Sequence, residues 1–198
     1  MVSLRTLALS AVAFAAPLVS ALTTADIVDN IRTLTTKAQA LQAPAQSITV
    51  INGPLIIIGQ GPFPQLIVGF QDIITTATTV ISMQSKTEQV TTAADATAIA
   101  NAYREFLRVN QVLFNILIGK SGLFKTVPLI GDPVAATLRQ VEAVYDTIGF
   151  QLAEIVEPTT QNDQITADHN SLSGTVRTAV DSYAGLSVSN KVRREFRA

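Results

Sequence analysis

Apolar residues recur every three to four positions along most of the chain, which is the period of an amphipathic helix. The first stripe is Ile27, Ile31, Leu34, Ala38 and Leu41. It follows Thr23-Thr24-Ala25-Asp26, where an acidic residue three places after a threonine has the form of a capping box. Pro44 is expected to end or kink this helix. A short helical turn near residues 46–52 and an irregular apolar loop to about Pro62 come next. The second stripe is Leu66, Phe70, Ile73, Ala77 and Ile81, widened by Ile67 and Ile74. A third helix is expected from about Thr92 to Ile118, with Ile99, Tyr103, Phe106, Leu113, Phe114 and Leu117 on one face. Asp132-Pro133 reads as the start of a fourth, an N-cap followed by proline in the first turn. Its stripe is Val134, Leu138, Val141, Tyr145, Ile148, Leu152 and Val156, closed by Glu157-Pro158. The last helix is expected after Asn162-Asp163, carrying Ile165, Leu172, Val176, Ala179, Val180 and Tyr183. No alternating segment is followed by a hairpin turn signal. The pattern predicts an all-α fold, an antiparallel bundle of about five amphipathic helices.

Residues 1–21 break this period and read as a secretory signal peptide. Arg5 supplies the positive start, Thr6–Ala16 the apolar core, and Val19-Ser20-Ala21 the small residues at which cleavage is expected. Pro17 and the short apolar run argue against a membrane span. Residues 22–198 then form one domain, expected to be secreted, extracellular and without a transmembrane segment. Residues 38–71 carry no charge but are broken by four prolines and four glycines, which argues against a membrane helix there.

Composition removes several function classes. Charged residues make up 15% of the chain, against about 25% in an average domain. The formal net charge of −1 offers no basic surface for nucleic acid. There is no cysteine and one histidine. A disulfide framework, a thiol nucleophile and a multi-histidine metal site are therefore all excluded. Gly119-Lys120-Ser121 resembles the end of a phosphate-binding loop, but Phe114 stands where its first glycine belongs. Asp168 and His169 are neighbours on one helix and cannot face each other as a catalytic pair. No catalytic residue, metal or cofactor is expected, and the chain reads as non-enzymatic.

One polar residue interrupts the third stripe. Asn110 lies seven residues after Tyr103 and three before Leu113. A buried amide must find a partner. That partner is either another helix or the polar end of a bound ligand. On the second reading the walls of an interior site are Phe70, Ile73, Ile74, Tyr103, Phe106, Leu113, Leu138, Val141 and Tyr145. The same stripes would equally build a dry core. Two further features suggest contact outside the bundle. Phe150 falls on the polar face of the fourth helix. Leu55-Ile56-Ile57-Ile58 are four consecutive aliphatics that cannot all face one side, and they are expected either to tuck across the end of the bundle or to form a portal or a surface contact.

Certain local sequences carry a resemblance. Gly61-Pro62-Phe63-Pro64 leads into Gly69-Phe70-Gln71-Asp72-Ile73-Ile74, and Phe106-Leu107-Arg108-Val109-Asn110-Gln111-Val112-Leu113 precedes Leu117-Ile118-Gly119-Lys120-Ser121-Gly122-Leu123-Phe124. Together with the leader and the cysteine-free helical pattern, this is similar to the fungal hydrophobic surface-binding protein A family, which includes cell wall galactomannoproteins. The resemblance spans about residues 24–186. It implies a secreted, non-enzymatic helical protein that encloses fatty acids or similar hydrophobic ligands. Its alternative implication is a surface-active, cell wall associated protein that adsorbs to hydrophobic surfaces and recruits secreted esterases. No serine/threonine-rich stalk or anchor signal is read, so covalent wall attachment is not expected.

Overall fold

Thr23 opens the first helix with a closed capping box. Its side chain accepts from the Asp26 backbone N–H, and Asp26 accepts from the Thr23 backbone N–H. The box satisfies donors that a helix N-terminus leaves bare. The Thr23 hydroxyl first, and then its backbone N–H, lower the Asp26 pKa. In the computed structural model, which describes residues 22–52, 55, 58–124 and 131–184, the helices are α1 (Thr24–Ala40), α2 (Gln42–Gln46), α3 (Pro62–Gln84), α4 (Ala93–Ser121), α5 (Gly131–Ile155) and α6 (Thr159–Ala184). A 3-10 turn, Gly122–Phe124, extends α4. The fold is all-α, with five long helices and one short one among the described residues.

Several boundaries differ from those expected; α5 starts at Gly131, so Asp132 lies in its first turn, where its charge complements the helix dipole, rather than at the N-cap. Pro44 neither ends nor kinks α1, which stops earlier at Ala40. The short helical turn is α2, at Gln42–Gln46 rather than near 46–52. Pro44 fits its first turn, where a missing N–H costs no helical bond. The last helix starts at Thr159, before Asn162-Asp163. Asn162 instead reaches back from the first turn of α6 and donates to the Val156 and Ala153 carbonyls. Its side chain finishes α5 rather than starting α6.

The expectation about membrane spans also needs correction. Among the described residues one helix, α3, is long and apolar enough to cross a membrane. Most of the proline and glycine punctuation that argued against this precedes α3; Pro64 falls in its first turn and Gly69 lies against Leu41. Gly61 has a φ of 83°, a left-handed turn that glycine adopts easily. Pro62 then occupies the first helical position. In this fold the inward stripe of α3 is spent on the core. It comprises Phe63, Leu66, Phe70, Ile73, Ala77, Val80 and finally Gln84.

The long helices alternate in direction and close into a ring in the order α1, α4, α6, α5, α3 and back to α1. α4 and α5 are not neighbours in this ring, and they are absent from the close backbone packings among the described residues. Side chains fill the space between them. Arg104 to Asp168 at 3.1 Å ties α4 to α6, and Lys37 to Asp72 ties α1 to α3. Such partly exposed pairs contribute little, so burial of the inward stripes holds the ring together. Full burial is worth roughly 1.5–3 kcal/mol per large apolar side chain.

At one end the α3–α4 and α5–α6 links are clasped. The Val90 N–H donates to the Ile155 carbonyl at 2.7 Å, and the Glu157 N–H donates to the Val90 carbonyl at 3.1 Å. This isolated parallel bridge, Val90 to Val156, is too short to read as a strand in the sequence.

Candidate functional site

The ring's interior is assembled by the inward stripes of α3, α4 and α5, which carry the aromatics Phe70, Tyr103, Phe106, Phe114 and Tyr145. Tyr103 and Phe106 lie with ring centres 5.8 Å apart. Phe106 meets Tyr145 edge-on at 4.8 Å. Tyr145 meets Phe114 at 6.3 Å, and Phe114 stacks on Phe70 at 6.3 Å. These five side chains form one column along the ring, in the edge-to-face and offset geometries that aromatic quadrupoles favour. Ile73, Leu113, Leu138 and Val141 are buried in the same core, and Ile74 is half-buried at its edge. The sequence-derived wall residues are thus brought together. Phe114 joins them as a link in the column that the site reading did not select.

Asn110 is buried and already partnered. Its Nδ2 donates to the Phe106 carbonyl at 2.8 Å, and its Oδ1 accepts from the Tyr145 hydroxyl at 2.8 Å. A primary amide has two N–H donors and two lone pairs on oxygen. One of each is left for a ligand. Burial holds the Tyr145 hydroxyl far above its ordinary pKa, so it stays a neutral donor. The column ends at a small apolar cleft of about 10 Å³, lined by residues that include Phe63, Leu66, Phe70, Val134 and Leu138. That is room for about one water. A larger guest at that cleft requires side chains to move.

The surface-contact residues lie apart from this column. Leu55 is half-buried and Ile58 is 64% exposed. Ile56 and Ile57 lie outside the described residues. Val50 and Ile51, not selected from the sequence, are 66% and 87% exposed. They sit on a loop tied by Asn52, whose side chain donates to the Ser47 carbonyl and accepts from the Thr49 N–H. Lys120 donates to the Ile48 carbonyl at 2.8 Å, so the Gly-Lys-Ser segment pins this loop. Phe150 is 65% exposed, with its ring centre 4.8 Å from that of His169.

His169 is buried. Its Nδ1 lies 3.4 Å from the Tyr103 hydroxyl and its Nε2 lies 3.8 Å from Asp146. Asp168 pairs with Arg104 instead. Among the described residues no cluster of three potential metal-ligating side chains occurs. Sequence reasoning also missed Gln84, buried at the last inward position of α3. Its signal is the same as Asn110's, an amide on an apolar stripe, but it lies one step beyond Ile81, the last residue of that stripe.

No protein family and no curated protein matches the sequence. Solved structures do. AfMP4p in complex with palmitic acid superposes with a TM-score of 0.71 at 15% identity, over 81% of this chain and 99% of the other. Ligand-binding domain 1 of the Penicillium marneffei MP1 protein, complexed with arachidonic acids, gives 0.69 at 12% identity over 81% and 99%. Domain 2 of the same protein, also with arachidonic acids, gives 0.67 at 14% identity over 82% and 93%. The chain shares their fold. These neighbours are matched over nearly their whole length, so the likeness covers the complete ring rather than a pair of helices.

Proposed function

We propose that this chain is a secreted, non-enzymatic protein that holds a fatty acid or similar lipid between its helices. The observation that carries this reading is the ring itself. Its interior is filled by an aromatic column that joins α3, α4 and α5, in a fold whose neighbours were solved with palmitic and arachidonic acids. The walls of the site are Phe70, Ile73, Ile74, Tyr103, Phe106, Leu113, Leu138, Val141 and Tyr145. The spare N–H of Asn110 is the polar contact for a carboxyl group. Opening the column costs packing, and each buried methylene returns about 0.8 kcal/mol. Long chains should therefore bind and short ones should not.

The test is secretion of the full chain from a heterologous host, N-terminal sequencing, organic extraction and mass spectrometry. The expected result is cleavage after Ala21 and a stoichiometric long-chain fatty acid. Absence of lipid, together with no saturable uptake of palmitic acid by the extracted protein, would overturn the reading.

A second reading is favoured by the exposed Val50, Ile51 and Ile58. Here the protein is surface-active and wall-associated, adsorbs through that loop and Phe150, and recruits secreted esterases, as the family resemblance implies. Depletion of lipid-free protein onto hydrophobic beads, lost when Val50, Ile51 and Ile58 become serine, supports it.

A further inference from the structure

A second polar subsite lies about one acyl-chain length from the apolar cleft. The inward stripe of α3 runs from Phe70 through Ile73, Ala77 and Val80 to Gln84. Those fourteen positions span about 21 Å at the helical rise, close to the length of an extended palmitoyl chain. Gln84 is 1% exposed, and neither its Nε2 nor its Oε1 has a hydrogen-bond partner among the described residues. Asn110, by contrast, is tied on both sides. Gln84 lines a cleft of about 250 Å³ together with Thr87, Gln151 and Glu154. The Thr87 hydroxyl and the Gln151 Oε1 are unpartnered as well. The amide of Gln151 is held by its Nε2, which donates to the Ile81 carbonyl at 3.3 Å. Leaving such groups unpaired is costly.

The inventory selects a ligand class. Two amide oxygens need donors, while the Gln84 amino group and the Thr87 hydroxyl can donate. A carboxylate only accepts, so it would leave both oxygens bare. The lining also holds one carboxylate, Glu154, and no cation, which opposes an anion. A neutral hydroxyl group donates and accepts at once. We propose that this cleft binds the hydroxylated, uncharged head group of a lipid such as a monoacylglycerol, with the acyl chain running along α3 toward the Phe70 cleft. The proposal rests on the lipid-binding reading above and adds a head-group preference to it.

Calorimetric titration of the extracted mature protein with 1-monopalmitoylglycerol and with palmitic acid tests it. The wild type should bind the glycerol ester more tightly. Gln84→Leu, which suits an apolar stripe, should weaken the ester about tenfold and leave palmitic acid within about twofold. Thr87→Val, at a half-buried loop position, should weaken the ester several-fold and carries the test if Gln84→Leu fails to fold. Palmitic acid bound normally, with the ester unaffected by either substitution, overturns the subsite alone and leaves water as the occupant of the cleft. Failure of both lipids to bind the wild type overturns the lipid-binding reading and the subsite with it.

Discussion

Tyr145 and Asn110 satisfy each other inside an otherwise apolar column, and this makes them unequal to their parts. Tyr145→Phe leaves the Asn110 oxygen buried without its donor, and Asn110→Leu leaves the tyrosine hydroxyl without its acceptor. Each single change should cost about 1–3 kcal/mol in chemical denaturation, whereas the double change replaces both partners with apolar groups and should cost less than the sum. Additive costs would show that the hydrogen bond contributes nothing. Asn110→Leu should also weaken palmitic acid binding while the fold survives. The sequence exposed this residue because an amide among Tyr103, Phe106 and Leu113 stands out. It could not identify the partner, since Tyr145 is 35 positions away and only the ring's closure brings the two together.

At Gly149 the absence of a side chain sets how closely three helices approach. An added Cβ at Gly149 on α5 would lie 2.3 Å from the His169 ring on α6 and 2.8 Å from the Tyr103 hydroxyl on α4. None of these can yield easily, because both side chains are buried. Gly149→Ala should lower stability by about 1–3 kcal/mol through overpacking. Gly174 on α6 has nothing within 4 Å of its added Cβ, so Gly174→Ala should raise stability by up to about 1 kcal/mol. Paired thermal melts check both signs. The long helices were legible from their stripes because burial on one face enforces the period. Their ends were less so: Asn162 looks like a helix start in sequence, yet its bonds run backward to α5.

For the whole molecule, the three tyrosines give the clearest pH signature. Burial raises the pKa of Tyr103, Tyr145 and Tyr183 above the ordinary value of 10.0, and Asp146 and Asp168 add to the rise at Tyr103. A folded-state pKa above the unfolded one means that the folded chain holds protons the unfolded chain gives up. Their stabilisation is fully present below about pH 10 and is lost as pH rises beyond it. Denaturation midpoints across this alkaline range should fall, and Tyr145→Phe should make the fall shallower. Ring order was not legible in the sequence. Stripes show that a helix has an inner face but not which helices stand opposite each other, and the single Val90–Val156 bridge that clasps two links has no periodic signal.

An odd count of alternating long helices has a mechanical consequence. Thr24 lies at the clasped end of the ring and Ala184 at the other. Tension applied between these two residues therefore runs along the helix axes, and α1 and α6 are loaded in shear against α4 along their shared length rather than peeled from it turn by turn. Under such a load resistance is set by the unfolding rate rather than by equilibrium stability. A chain of this build transmits pull from end to end, as a link in series does.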